Sequence, residues 1–154
     1  MRLENKKVIT DMSKLLQKEV ILHDAVISGC KIKNQNFIID FAGGFMLNDR
    51  SIHGQEIWTD SGRVIFEKID FESSQFTVFY KNKHKTYTLN EFKRLVNNKK
   101  LNRIEIIEEF YGFSSALYSG YLFQKENHRS FQLKLYMFGD IIYKYKGGNS
   151  CEFK

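Results

Sequence analysis

The residues best suited to binding chemistry are basic and lie between positions 81 and 103. This segment holds eight lysine and arginine residues and a single acid, Glu91, so its net charge is +7 while that of the whole chain is +6. The basic residues are Lys81, Lys83, Lys85, Lys93, Arg94, Lys99, Lys100 and Arg103. Positive charge concentrated in this way attracts anionic partners and speeds their encounter. The segment therefore predicts a site for an anionic partner.

Two kinds of partner fit this segment. Tyr80 and Tyr87 flank its first three lysines, and lysines with neighbouring aromatic rings are typical of nucleic-acid binding. Lysine outnumbers arginine by 18 to 6 in the chain, however, whereas bidentate phosphate or base contacts favour arginine. An acidic protein is therefore the first hypothesis, a nucleic acid is the alternative, and a merely solvated lysine-rich surface also remains open.

Residues suited to acid–base or metal chemistry are dispersed. His23 and Asp24 are adjacent, and neighbours on a strand point to opposite faces, so we expect a turn-forming aspartate and a half-buried histidine. A long segment carries Asp49, His53, Glu56, Trp58 and Asp60. Trp58 is a candidate binding anchor, although packing against a sheet is the commoner role of such a ring.

No sequence motif indicates catalysis. The chain has no G-x-S-x-G, no phosphate-binding glycine loop and no C-x-x-C. We predict no catalytic residue, no metal site and no cofactor, and therefore a protein that is not an enzyme. An enzyme of unknown class remains a further alternative, because catalytic groups need to meet only in three dimensions.

The overall composition indicates one globular domain, residues 1–154, with residues 1–5 and 147–154 expected to fray. Apolar residues make up 42% of the chain, and 15% of it is aromatic. The first residues lack the apolar stretch of an export signal, and no window is long and apolar enough for a membrane span. We expect a cytoplasmic protein without membrane contact. Cys30 and Cys151 are expected to remain reduced.

Two short helices are predicted. Val8, Ile9, Met12, Leu15 and Leu16 follow the helical period, which favours an amphipathic helix over residues 8–16. The second helix has a sharper signal at its start. Thr88 and Glu91 have the spacing of a capping box, and Asn97 and Asn98 end the apolar pattern that follows.

Most of the remaining chain alternates with a period of two, which is typical of strands. Residues 26–32 and 37–41 predict a hairpin, and residues 81–85 a loop. Residues 45–61 are left without a single assignment, with 45–47 and 57–58 as candidate short strands around a polar loop. Strands near residues 104–110, 116–123, 131–138 and 141–145 predict a four-stranded meander whose last turn is Gly139 and Asp140. The predicted fold class is α+β, a mostly antiparallel sheet or partly closed barrel of about eight strands with two short helices.

The run Leu22-His23-Asp24-Ala25-Val26-Ile27, followed by a turn and residues 37–41, resembles the opening of several small bacterial proteins. Those chains begin with a Leu-His-Asp-x-x-Ile strand. Many of them are uncharacterised, and some are immunity proteins that neutralise a toxin. The resemblance covers about twenty residues and implies a non-enzymatic protein that binds another protein. It assigns no binding residues and says nothing of oligomeric state.

Overall fold

A computed structural model describes residues 4–8, 20–49, 55–124 and 127–147. The described residues form fourteen strands and one helix. The strands are β1 (Glu4–Val8), β2 (Val20–Ile21), β3 (Val26–Ile27), β4 (Gly29–Lys33), β5 (Asn36–Phe41), β6 (Met46–Asp49), β7 (Gln55–Trp58), β8 (Ser61–Phe66), β9 (Gln75–Tyr80), β10 (Lys83–Tyr87), β11 (Arg103–Gly112), β12 (Ser115–Gln124), β13 (Asn127–Tyr136) and β14 (Ile141–Lys146). The helix, α1, spans Leu89–Asn97 and connects β10 to β11.

The strands form three antiparallel sheets. The first has the order β1-β14-β8-β5-β4, the second β10-β9-β13-β12-β11-β3 and the third β2-β6-β7. The first two share one hydrophobic core, in which Phe66 of β8 meets Tyr118 of β12 edge-on with ring centres 5.9 Å apart. The mostly antiparallel, β-rich architecture is confirmed.

Two finer predictions of the fold are wrong for the described residues. The sheets do not close into a barrel, because each has two edge strands. The strands number fourteen rather than about eight, since short strands such as β2 and β3 pair beside the longer ones. One of the two predicted helices is found among the described residues. Val8 of the other predicted helix is the last residue of β1, and residues 9–16 lie outside the described residues.

Local signals located several elements correctly. The predicted hairpin is β4 and β5, with Asn34 and Gln35 in its turn at φ values of 51° and 66°. The two short strands around residues 45–58 are β6 and β7, which pair with each other. Cys30 of β4 is buried, and burial raises the pKa of its thiol far above the ordinary value. Cys151 lies outside the described residues.

The predicted four-stranded meander is wrong at its last turn. Strands β11, β12 and β13 pair in sequence, but β14 pairs with β8 and β1 in the other sheet. The cause is the segment that follows β8, residues 67–68, which forms hydrogen bonds with the residues of this turn. Phe138 N–H donates to the Lys68 carbonyl at 2.9 Å, and Glu67 N–H donates to the Asp140 carbonyl at 3.0 Å. Gly139 therefore stands at a corner between sheets.

Helix α1 begins and ends as predicted, and its contacts orient it on the sheets. Thr88 and Glu91 form the reciprocal hydrogen bonds of a capping box. Phe92 is fully buried against Phe76 of β9, with ring centres 4.1 Å apart. At the other end, the Asn97 amide accepts from Cys30 N–H at 3.0 Å and donates to the Cys30 carbonyl at 2.9 Å. These contacts hold α1 against β9 at one end and against β4 at the other.

Candidate functional site

The start of the basic segment is an edge strand rather than the predicted loop. Lys81 and Asn82 form a two-residue turn, and β10 then pairs with β9 along its full length, from Lys83 opposite Tyr80 to Tyr87 opposite Phe76. All residues of β10 are exposed except Tyr87, which is partly buried. The hairpin forms because a positive φ of 53° at Lys81 lets the chain reverse in two residues.

Two concavities meet at Tyr87. The first, about 250 Å³, is lined by Val78, Tyr80, Lys83, His84, Lys85, Tyr87 and Arg129. The second, about 340 Å³, is lined by Tyr87, Glu91, Arg94, Leu95, Asn98 and Lys100. We call these residues together with Lys81 the hairpin–helix surface. Because both concavities share the Tyr87 ring, the basic residues of β10 and of α1 form one continuous surface.

The cations of this surface make no close ion pair within the part of the chain that the structure describes. No carboxylate oxygen there lies within 4 Å of the charged nitrogens of Lys81, Lys83, Lys85, Arg94 or Lys100. The one acid, Glu91, is held by the capping box. Its hydrogen bonds with Thr88 keep the pKa of its carboxyl group below the usual value, and the nearby cations Arg94 and Lys85 lower that pKa further.

Arg129 of β13 belongs to the surface although no sequence signal indicated it. Its guanidinium carbon lies 4.3 Å from the centre of the Tyr80 ring. Its Nε atom is buried and has no hydrogen-bond partner among the described residues. Arg129 reaches the surface because β13 pairs with β9, the strand that carries Tyr80. Only knowledge of that strand order would have placed it beside the lysines.

The tyrosine rings of the surface are covered by cations. Lys81 Nζ lies 5.6 Å from the centre of the Tyr80 ring, and Lys85 Nζ lies 5.1 Å from the centre of the Tyr87 ring. These distances are within the range of cation–π attraction. The rings therefore hold the basic side chains in place. Because cations cover the rings, less of the ring surface remains for stacking on a base.

Three predicted site residues lie away from this surface. Arg103 begins β11, which three strands separate from β10, and its Nε is 3.4 Å from the Glu105 carboxylate. Lys93 of α1 is half-buried and lines neither concavity, since residues one apart on a helix differ by about 100° and Lys93 is turned away from Arg94 by that angle. Trp58 belongs to the third sheet, where its indole N–H donates to the Gly43 carbonyl at 2.6 Å and its side chain remains 39% exposed.

Lys99 follows α1 and is exposed, with a φ of 56°, and it lines neither concavity. The structure therefore brings together Tyr80, Lys81, Lys83, Lys85, Tyr87, Arg94 and Lys100. It adds Arg129 to them.

The histidine and aspartate at the start of the sheet region do touch each other. His23 Nδ1 lies 3.0 Å from Asp24 Oδ2, because Asp24 sits in a turn with a φ of 68° rather than on a strand. The turn expected at Asp24 is present, but His23 is exposed rather than half-buried. Of the loop residues, His53 lies outside the described residues. Within the described part, no group of three His, Cys, Asp or Glu residues could hold a metal ion.

A partly buried polar cluster, missed by the sequence patterns, ties the two large sheets together. Tyr111 donates its hydroxyl to the Glu109 carboxylate at 2.5 Å, and Tyr118 donates to the Tyr111 hydroxyl at 3.2 Å. Tyr143 of β14 approaches the same hydroxyl at 3.4 Å, and Leu22 N–H donates to Glu109 at 2.8 Å. Burial raises the pKa of all three tyrosines. We call these four side chains the tyrosine–glutamate cluster.

Comparison with protein-family models, with curated proteins and with solved structures finds no match to this chain. Among the described residues, no helix is long and apolar enough to cross a membrane. The geometry and charge of the hairpin–helix surface are therefore the features that indicate a function.

Proposed function

We propose that the chain is a non-enzymatic binding protein that uses the hairpin–helix surface to hold an acidic surface of another protein. The observation that carries this proposal is the continuous group of cations on β10, α1 and β13, which outnumber the one acid of the surface, Glu91, and make no close ion pair in the described part. Unpaired cations on two adjoining elements repel one another, so an anionic partner relieves that repulsion when it binds.

A protein partner fits this surface better than a nucleic acid. Base binding needs aromatic faces that are free to stack, whereas Lys81, Lys85 and Arg129 lie over the Tyr80 and Tyr87 rings. Lysine ammonium groups act as point charges and suit dispersed carboxylates as well as phosphates. The resemblance of residues 22–27 to small bacterial proteins, some of them immunity proteins, also supports a protein as the partner and a bacterial, cytoplasmic setting.

One observation favours nucleic acid as the second candidate. Arg129 lines the first concavity, and its buried Nε has no hydrogen-bond partner among the described residues. The planar guanidinium is the group that binds phosphate in a bidentate manner. Nucleic-acid binding predicts an affinity that falls with salt, with a logarithmic slope close to one per phosphate contacted.

Capture from a lysate of the source organism tests the proposal. The tagged chain is compared with the variant Lys83→Glu/Lys85→Glu/Lys100→Glu, and each lysate is split into nuclease-treated and untreated halves. We expect a stoichiometric protein to be retained by the wild-type chain in both halves and lost by the variant. Capture that disappears with nuclease would favour the nucleic-acid candidate instead.

The matched control is Lys31→Glu/Lys33→Glu/Lys68→Glu, whose three lysines are also exposed but line neither concavity of the hairpin–helix surface. Both triple variants lower the formal net charge from +6 to 0, since each reversal removes two charges. We expect the control to retain the partner. If both variants lose capture equally, the net charge of the chain rather than this surface is responsible for binding. If both retain the partner equally, the hairpin–helix surface does not take part in binding.

A further inference from the structure

Strand β10 is an open edge of the six-stranded sheet in the part of the chain that the structure describes. Its neighbour in the strand order is β9 on one side, and no described strand lies on the other. Residues that flank a two-residue hairpin turn form a hydrogen-bonded pair, and such pairs alternate along an antiparallel ladder. Lys83, Lys85 and Tyr87 therefore bond to β9, and the N–H and C=O groups of His84 and Thr86 point to the open side.

The lysines of β10 repeat with the period of a strand. Lys83 and Lys85 lie on one face of the sheet with Tyr87, and both line the first concavity. Side chains two residues apart on a strand are separated by roughly 6.6–6.8 Å. An extended segment beside β10 places its own alternate side chains on the same face with the same repeat, at the distances of cross-strand pairs.

We propose that β10 accepts, as an added antiparallel or parallel strand, an extended segment of the partner protein with Asp or Glu at alternate positions. This inference rests on the proposed function and names the part of the partner that is bound. The backbone groups of His84 and Thr86 supply the ladder hydrogen bonds, and Lys83 and Lys85 select the acidic side chains. Addition of a strand to an open sheet edge is a recurring mode of peptide recognition.

Another edge of the fold explains why β10 in particular is suited to this role. Strand β4 is the edge of the five-stranded sheet and also carries lysines two residues apart, Lys31 and Lys33. There Lys31 Nζ lies 3.9 Å from an Asp40 oxygen, so part of the charge is already compensated. Lysines on an open edge discourage pairing with another edge of like charge. An acidic strand removes that penalty at β10, where no carboxylate of the described residues lies within 4 Å of the charged nitrogens of Lys83 and Lys85.

Binding of synthetic peptides tests the inference on the full-length chain. The probe is a fluorescent ten-residue peptide that alternates Glu and Thr, and its affinity is measured by anisotropy. Two further peptides carry N-methyl groups on the backbone nitrogens of either the Glu or the Thr positions. N-methylation removes the amide donor without changing the charge. Because a strand uses only alternate residues to face its neighbour, we expect one methylated peptide to bind at least tenfold more weakly and the other to bind nearly normally.

Variants of the chain examine the same contacts from the other side. His84→Pro removes an N–H that points to the open edge, where proline is tolerated in a strand, and is expected to weaken binding about tenfold. Lys83→Gln/Lys85→Gln is expected to weaken binding and to make it less sensitive to salt. The matched control Lys31→Gln/Lys33→Gln, on the β4 edge, is expected to bind the peptide as the wild-type chain does.

Two results would overturn the inference. If both methylated peptides bind as tightly as the unmodified one, the backbone of the peptide makes no ladder. If no peptide binds, β10 does not accept an acidic strand. Neither result decides the proposed function, because capture from lysate depends on the charge of the hairpin–helix surface and not on the conformation of the partner.

Discussion

The hairpin–helix surface and the tyrosine–glutamate cluster differ in whether their polar groups are paired within the chain. In the cluster, the Glu109 carboxylate accepts hydrogen bonds from the Tyr111 hydroxyl and the Leu22 N–H. On the surface, Lys83 and Lys85 are exposed and make no ion pair within 4 Å with the described residues. The cluster satisfies its donors within the chain, whereas the surface keeps its charges available to another molecule.

This difference separates stability from binding. A buried donor that loses its acceptor destabilises the fold, because the donor cannot bond to water instead. Exposed charges contribute little to stability, since water and salt screen them. We therefore expect changes in the cluster to alter unfolding and changes on the surface to alter binding, and the following experiments separate the two.

The largest effect is expected from alkaline pH. Burial raises the pKa of Tyr111, Tyr118 and Tyr143 above the value of about 10 of an unfolded chain. Above that pH the unfolded chain loses protons that the folded chain keeps, so the free energy of unfolding falls as pH rises. Each tyrosine contributes up to about 1.4 kcal/mol per pH unit. Urea unfolding between pH 8 and pH 11 measures this slope.

Two variants isolate the contribution of the cluster to that slope. Cys30→Ala serves as the background, because the raised pKa of the buried thiol would add a similar loss of stability starting near pH 8.5–9. In that background, Tyr143→Phe is expected to reduce the slope above pH 10 by up to about 1.4 kcal/mol per pH unit, a limit that is approached as the unfolded tyrosine becomes fully ionised. A free energy of unfolding that stays constant from pH 9 to pH 11 would contradict the burial of these hydroxyls.

A smaller effect is expected from removal of the acceptor in the cluster. Glu109→Ala leaves the Leu22 N–H and the Tyr111 hydroxyl without their acceptor and should lower the free energy of unfolding by about 2–4 kcal/mol. Glu109→Gln keeps one carbonyl oxygen and should cost less. Chemical denaturation measures both, and the folded variants should still capture the partner. A loss below about 0.5 kcal/mol for Glu109→Ala would contradict this account.

The smallest effect on stability is expected from the surface. Lys83→Glu/Lys85→Glu/Lys100→Glu should change the free energy of unfolding by less than about 1 kcal/mol, because the three side chains are exposed and make no close ion pair with the described residues. Denaturant titration at two salt concentrations checks this value. A loss of more than about 2 kcal/mol would show that these lysines support the fold.

Local signals explain which parts of the fold the sequence could predict. Thr88 and Glu91 are three residues apart, so the start of α1 is visible without any knowledge of the sheets. The β4–β5 hairpin is visible for the same reason, since its turn lies between two alternating runs. Gly139 and Asp140 suit a hairpin as well as a corner between sheets. Only the pairing of Glu67 with Asp140 distinguishes these two cases.

The candidate site likewise contains residues that local sequence patterns could indicate and residues that they could not. The lysines were found because they are neighbours in the sequence, and Tyr87 because it adjoins them. Arg129 joins them only through the pairing of β13 with β9, which no local pattern encodes. The tyrosine–glutamate cluster is still harder to predict from the sequence, because Leu22 and Glu109 are 87 residues apart. Long-range strand order, rather than residue type, is the information that the sequence patterns lacked.

Nuclear magnetic resonance can test directly whether an acidic strand binds to the hairpin–helix surface. The ¹⁵N-labelled chain is titrated with the alternating Glu–Thr peptide, and the backbone amide shifts are followed. The account predicts shifts confined to β10, the exposed side of α1 and Arg129, with the amides of Lys31 and Lys33 unchanged. Shifts that are equally large at Lys31 and Lys33, or absent from β10, would contradict the claim that the hairpin–helix surface is the binding site.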